Sequence, residues 1–324
     1  MMSTETAVGL IPVIVTAIDD VTPDIRVLRL APEDGHYLPG FSGGSHITVG
    51  IDLDAETHLR NAYSLMSSPY DTSHYEIAVR RMEGGRGGSR FIHSLSAGDR
   101  LGVSSPVNLF PIQIHGKLHI FIAGGIGITP LFPQLEELER AGAAFEAHVS
   151  CRRPEDDALA LRLAQRFGSK VHLRYTSQSG RQDFGTVLAR RPLGSHVYIC
   201  GPAAMIAEIR NAARDLGWSA SHVHYEQFVE QKTGKAFDLQ LARSGITLRV
   251  PAQVSPLEVL EANGIAIPYL CRGGACGQCE TRVLQSDTAL EHHDVWLSDE
   301  AKACNSHFMP CISRADGGTL IVDL

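Results

Sequence analysis

CRGGACGQC, residues 271–279, is the stretch from which the rest of the chain is read. Three of the seven cysteines fall within it, Cys271, Cys276 and Cys279, and Cys311 follows after 31 further residues. Iron in a two-iron, two-sulfur cluster takes thiolate ligands, and four cysteines spaced C-x₄-C-x₂-C…C hold such a cluster. Gly273, Gly274 and Gly277 leave room for the backbone to wrap it, and small residues let amide N–H groups point at sulfur, which tunes the potential. A structural zinc site favours two C-x₂₋₄-C pairs, or one pair with histidines, which three cysteines in one loop do not supply. Cys304 competes for the fourth ligand position. Cys311 is assigned to it from its context, MPCISRA, just before the final strand. Cys304 is expected to be a small apolar residue of the core.

The flanks give this loop a setting. FDLQLA and ITLRVP have strand character, PLEVLEANG is helical, and LIVDL closes the chain as a short strand. They predict a compact α+β module over residues 238–324. The polar segment VEQKTGKAFD, with neither helical nor strand period, places a linker at 230–237. Upstream, LHIFIAG is a continuous apolar run, as in a parallel strand buried on both faces. Leu131, Leu135 and Leu138 then recur at helical spacing. FEAHVSC, DDALALRLAQRFG, VHLRYTS, HVYICGP and AAMIAEIRNAARDLG continue the alternation of strand and helix. Residues 113–229 are therefore predicted to be a doubly wound α/β domain. Residues 1–112 carry short alternating runs (IRVLRL, HITVGI, YEIAVR, DRLGVSS) between Gly, Pro and Asp, which predicts an antiparallel β-barrel.

Bulk properties narrow the function class. Across 324 residues the hydrophobic content is 44% and the charged content 20%, enough for each domain to bury a core. A net charge of −7 is wrong for a general nucleic-acid binder and suits docking on a complementary protein face. No apolar run approaches the ~20 residues that cross a membrane. The N-terminus lacks the basic region of a secretory signal. An odd, uneven set of cysteines is not a disulfide scaffold, so a cytoplasmic location is expected.

Two turns in the α/β region suit a nucleotide. GGIGITP joins a buried strand to a helix; its glycines allow close approach of a pyrophosphate to backbone, and the helix start adds partial positive charge. Glycine-rich turns of this kind also occur for packing alone. Cys200-Gly201-Pro202 makes a second strand-to-helix turn, and two such turns at strand C-termini can flank one crevice.

Read together, AYSLMSSP, YEIAVRR, EGGRGGSR, AGGIGITP, ICGPAAMI, VHYEQF and CRGGACGQC, in that order, resemble the phthalate dioxygenase reductase family over essentially the whole chain. The resemblance implies an FMN barrel domain, an NAD(P) domain and a plant-type 2Fe–2S ferredoxin domain of β-grasp fold, in that order. It implies that Tyr63 packs on the flavin ring, Ser64 bonds near its N5, and Ala78, Val79 and Arg80 lie along its edge. Gly87, Gly88 and Ser89 would hold the phosphate with Arg60, Thr129 would touch the flavin, and Phe228 would stack on it. Gly124, Gly125, Gly127, Cys200, Gly201, Pro202 and Arg153 would form the nicotinamide nucleotide site.

Two positions depart from the family pattern. The arginine common two residues before the flavin tyrosine is here Asn61, with Arg60 one residue earlier. Arg153 stands where relatives preferring NADH often carry an acid; an arginine there accommodates a 2′-phosphate. NADH is the expected donor, with NADPH tolerated. Hydride carries two electrons and the cluster accepts one at a time, so a flavin must lie between them. The acceptor implied is a terminal Rieske non-haem iron oxygenase acting on a phthalate-like aromatic acid, an aryl ether or a quaternary amine. This chain carries no Rieske C-x-H…C-x₂-H set of its own. Two alternatives stand beside this reading: a ferredoxin-fused flavin reductase for small acceptors, and a redox-sensing module.

Overall fold

The computed structural model describes residues 10–54, 57–229 and 233–324; the start of the expected linker, residues 230–232, lies outside them. The N-terminal region forms strands β1 (Ile11–Thr22), β2 (Ile25–Pro32), β3 (Ser45–Asp52), β4 (His58–Ser64) and β5 (Tyr75–Arg80). A short helix α1 (Gly88–Ser94), β6 (Arg100–Val103) and β7 (Val107–Asn108) follow. The sheet runs β4-β3-β6-β1-β2-β5, with β7 on β3, and the pairings of β1 with β2 and β6, of β2 with β5 and of β3 with β7 are antiparallel. The alternation seen in the sequence sets its faces: Tyr75, Ile77 and Val79 all point to the core. This is the antiparallel flavin-domain sheet that the sequence predicts.

The chain then alternates. Strands β8 (Leu118–Gly124), β9 (Phe145–Cys151), β10 (Val171–Tyr175), β11 (Ser195–Cys200) and β12 (Val223–Glu226) form a sheet ordered β10-β9-β8-β11-β12, parallel throughout. Helices α2 (Leu131–Arg140), α3 (Ala158–Phe167), α4 (Thr176–Ser179), α5 (Phe184–Leu188) and α6 (Ala203–Asp215) lie between the strands. Central strand β8 buries Ile120, Phe121, Ile122 and Ala123 completely, because helices cover both faces of a parallel sheet. Leu131, Leu135 and Leu138 are the fully buried stripe of α2. At about 1.5–3 kcal/mol per buried leucine, that stripe is what fixes the helix on the sheet. Chain order reverses beside β8, and this switch point opens a crevice at the strand C-termini.

Several side chains of α2 tie it to the N-terminal region: Glu137 accepts from the Gly43 amide and Glu136 from the Ser68 hydroxyl, each at 2.8 Å. Gln134 of α2 is fully buried and donates to the Phe110 carbonyl at 2.7 Å. Gly44 must be glycine there, since at φ +93° a Cβ would lie 2.1 Å from the same carbonyl oxygen.

The C-terminal part has β13 (Phe237–Leu241), β14 (Thr247–Val250), α7 (Pro256–Ala262), β15 (Thr281–Ser286), β16 (Leu290–Glu291), α8 (Asp299–Ala303), β17 (His307–Phe308), β18 (Arg314–Ala315) and β19 (Thr319–Val322). The sheet order is β14-β13-β19-β15-β17, with the first and last strands, β13 and β19, running parallel at its centre. A hairpin, a helix and a returning parallel strand are the β-grasp arrangement. Ser255 and Glu258 close a reciprocal capping box at the start of α7, and Pro256 sits at its first position.

By contacts the chain divides into two compact units. One holds the described residues up to Ile47, with Tyr63–Arg81 and Leu95–Phe228; the other holds Thr48–Ala62, Met82–Ser94 and Val229–Leu324. The second unit thus contains the whole cysteine module and two segments of the N-terminal region.

Candidate functional site

The cysteine loop packs as the spacing requires. Cys271, Cys279 and Cys311 are buried and Cys276 is half-buried. Cys271 lies in hydrogen-bonding reach of Cys276 and Cys311, and Cys279 in reach of Cys311. The contacts join all four thiols in one run, Cys276–Cys271–Cys311–Cys279, as ligands gathered round one cluster would be. Among the described residues no group of His, Cys, Asp or Glu is arranged for a lone metal ion. The amides of Gly273 and Ala275 donate to Cys271 Sγ at 3.4 and 3.3 Å. Hydrogen bonds from the thiols of Cys276 and Cys311, and then from these amides, hold Cys271 well below the usual thiol range. Gly277 has φ +74°, and a Cβ on it would meet the indole of Trp296 at 2.2 Å, so only glycine fits. Leu257, Leu297, Met309 and Ile312 pack round the sulfurs as a dry wall.

Cys304 corrects the sequence reading. It is exposed at the C-terminus of α8 rather than in the core. Ser298 caps this short, charged helix and sets it at the surface, which carries Cys304 away from the buried sulfurs.

In the first unit a cavity of about 570 Å³ opens at the switch point. Gly124, Gly125 and Pro202 line it, so the two turns singled out in the sequence do meet at one crevice. Gly127, Cys200 and Gly201 lie beneath it. A Cβ on Gly127 would stand 2.4 Å from the Cys200 carbonyl oxygen. Cys200 itself is fully buried, and burial together with Glu226 pushes its thiol well up. Arg153 lines the cavity, exposed, and pairs with Asp156 at 3.4 Å. Arg80, Arg152 and Arg181 line it too, against Asp24 and Asp156, so arginines outnumber carboxylates four to two and the pocket suits phosphates. Arg152 and Arg181 come from separate loops and give no linear signal. Arg80, expected at the flavin edge, faces this cavity; its Nε lies 3.1 Å from Asp24, an ion-pair distance without hydrogen-bond alignment.

The same unit holds the residues expected round the flavin ring. Tyr63 is half-buried, while Ser64, Ala78 and Val79 are buried. The Thr129 hydroxyl is buried and donates to the Ile126 carbonyl at 3.1 Å. Phe228, two residues beyond β12, is 42% exposed, unlike a core aromatic.

The second unit holds the residues expected round the flavin phosphate. Ser89 Oγ accepts from the Met82 amide at 3.0 Å, which leaves its own proton for an acceptor. Arg60 Nη1 is buried with no hydrogen-bond partner in the protein, a vacancy that a phosphate oxygen would satisfy. The shift from arginine to Asn61 is accommodated: Asn61 Oδ1 accepts from Arg86, and its amide nitrogen lies where a Cβ on Gly88 would clash at 2.1 Å. The donor set thus fits a phosphate monoester, and the four gathered thiols fit a 2Fe–2S cluster.

A flavin-type antiparallel sheet, a basic crevice on a doubly wound sheet and a four-thiol β-grasp loop define a flavoprotein oxidoreductase that passes electrons to a 2Fe–2S centre. Comparison with known proteins agrees. Residues 12–111 match the oxidoreductase FAD-binding domain model, and 239–316 match the 2Fe-2S iron-sulfur cluster binding domain model. The chain is 45% identical to the heme-dependent oxidative N-demethylase beta subunit of Ectopseudomonas mendocina, over 97% of this chain and 99% of that one. It is 43% identical to the carnitine monooxygenase reductase subunit of Escherichia coli, over 96% and 97%. A solved phthalate dioxygenase reductase superposes with TM-score 0.88 at 32% identity, covering 98% of both chains. The chain belongs to the phthalate dioxygenase reductase family.

Proposed function

We propose that the chain is the reductase component of an oxygenase system, taking electrons from NADH, with NADPH tolerated, and handing them to a terminal oxygenase. The gathered thiols of Cys271, Cys276, Cys279 and Cys311 carry this reading, because a 2Fe–2S centre held there would pass single electrons outward. When bound, a flavin converts the hydride's electron pair into single electrons. In this reading the flavin is FMN. Tyr63, Ser64, Ala78, Val79, Arg80, Thr129 and Phe228 serve its ring, and Arg60, Gly87, Gly88 and Ser89 its phosphate. Gly124, Gly125, Gly127, Arg153, Cys200, Gly201 and Pro202 form the nucleotide site, where the turns shape the crevice and Arg153 meets the adenine ribose. The domains are taken as 1–112, 113–229 and 238–324. A cytoplasmic setting belongs to the same reading, and no described helix is long and apolar enough to cross a membrane.

The acceptor we favour is a Rieske-type oxygenase. The substrate class we favour is a quaternary or N-methylated amine, because the carnitine monooxygenase reductases of three strains stand at 38–43% identity while the vanillate O-demethylase oxidoreductases stand at 34–36%. A haem-dependent acceptor is the second reading, favoured by the 45% identity to the N-demethylase beta subunit. Purified chain, NADH and the oxygenase encoded beside it are the test. Substrate-dependent NADH oxidation that needs both proteins supports the reading. Rapid turnover with oxygen or quinones and none with the oxygenase would show a stand-alone reductase instead. The absorption of the partner decides between Rieske centre and haem.

A further inference from the structure

Glu258 caps α7, in the iron–sulfur module, yet its carboxylate is used well beyond that cap. Oε1 accepts from the Arg60 amide at 2.8 Å and from Arg86 Nη2 at 3.2 Å. Oε2 accepts from Arg86 Nη1, and from the amide and hydroxyl of Ser255 at 2.7 and 2.8 Å. Both side chains of the Arg86–Glu258 pair are only 4% exposed. Arg86 spends its remaining reach on the Gln253 carbonyl and Asn61 Oδ1. It is therefore committed to protein acceptors, whereas Arg60 keeps a buried donor, Nη1, with no hydrogen-bond partner among the described residues.

The loop that carries Arg86 is built largely of glycine. Gly85 and Gly87 flank it at φ +79° and +98°, and a Cβ on Gly84 would touch nothing within 4 Å. Arg86 is the peg on which this glycine-rich loop hangs, and Glu258 is the socket. The same carboxylate pins the backbone of Arg60, and through Arg86 it fixes Asn61 over Gly88.

We propose that Glu258 is a positioning residue for the flavin phosphate, so that the iron–sulfur module contributes to holding the flavin. This rests on the reading that Arg60, Gly87, Gly88 and Ser89 bind the phosphate of FMN. Coupling of this kind is reciprocal: if Glu258 strengthens flavin binding, bound flavin must strengthen the seating of α7 by the same factor. The module is then a structural part of the flavin site as well as its electron acceptor.

The test uses full-length holoprotein. Free FMN is followed by its fluorescence on dilution, and cluster absorbance reports the integrity of the module. Glu258→Gln is expected to weaken FMN binding by at least about tenfold with the cluster retained, since it strips a buried guanidinium of its counter-charge. Arg86→Gln should give the same loss, and the double variant should be no worse than either single, as for two ends of one interaction. Ser255→Ala removes the cap hydroxyl and leaves the pair, so FMN affinity should stay within about twofold. Amide exchange in α7 should quicken when FMN is stripped from the wild type. An intact cluster with unchanged FMN affinity in Glu258→Gln overturns the proposal, as does an equal loss in Ser255→Ala. Should Glu258→Gln fail to fold, unchanged affinity in Arg86→Gln overturns it equally. A wild type that never binds FMN sinks the phosphate reading instead, and is told apart because no substitution is involved.

Discussion

The cysteine loop and the nucleotide crevice are both glycine-rich turns, and they solve opposite problems. The loop at 271–279 binds through side chains, and its glycines clear space: Gly277 lies under an indole and Gly274 against Asp294 and Ile312. The crevice binds through backbone and borrowed charge. Its turns at Gly124 and Pro202 give shape, while arginines from several elements give sign. A centre held by four particular thiols fails if one is changed. A pocket built from shape and distributed charge degrades by degrees.

The first break is therefore the largest. Cys311→Ser should abolish the cluster, seen as loss of its visible absorption and iron, because a hydroxyl is a poor replacement for a thiolate. Cys304→Ser, at an exposed helix end, should leave the spectrum as it was. Next comes a cut before Gly234. The flavoprotein part should still reduce ferricyanide with nicotinamide, and should lose cytochrome c reduction. It should need added FMN, about tenfold more than the full chain, because Glu258 goes with the cut piece. If it holds FMN as tightly as the intact protein, the phosphate loop stands without its socket.

On the crevice side, Gly127→Ala drives a Cβ into the Cys200 carbonyl and the Gly201 amide, backbone atoms that cannot rotate away. A loss of about 1–3 kcal/mol in urea unfolding is expected. The KM for NADH should rise while cluster content stays unchanged. Unaltered kinetics would mean that the turn's shape does not set nucleotide affinity.

The N-terminal ends of β8, β11 and β12, opposite the crevice, supply a pH effect. His119 and His224 are held neutral, each with its pKa lowered to about 4, by burial first and by the neighbouring His196 second. The unfolded chain takes up these protons near pH 6.5, before the folded one does. Stability contributed here is thus complete above pH 6.5 and is lost as pH falls towards 4. A fall on the order of 1–3 kcal/mol is expected by thermal or urea unfolding, and His119→Asn should flatten it. The smallest effect belongs to Arg153→Asp. Arg153 is exposed and already paired with Asp156, so the NADPH to NADH preference should drop only about two- to fivefold. No change in that ratio would remove Arg153 from the ribose site.

The same contrast explains what was legible in the sequence. The cluster ligands were, because residue type and spacing are local and chemically specific. Central strand β8 and the stripe on α2 were, because burial imposes a period. Arg152 and Arg181 were not: an arginine in a loop is ordinary until the fold brings several together. Arg86 lies inside EGGRGGSR, where a single arginine among glycines carries no sign of the carboxylate it meets 172 residues later. Glu258 was hidden by its own cap, since S-x-x-E before an apolar run is fully explained by α7 alone. Cys304 was misplaced because cysteines are so often buried, and the Ser298 cap of α8 was the signal that outweighed that tendency.

Trp296 lies against Gly277, between two of the cluster thiols in sequence, and is 52% exposed. The chain has one other tryptophan, Trp218, which packs beside the core of the parallel sheet. A strongly absorbing iron–sulfur chromophore so near an indole quenches its emission. The protein thus carries a built-in optical gauge: gain or loss of the cluster is expected to change the fluorescence of Trp296.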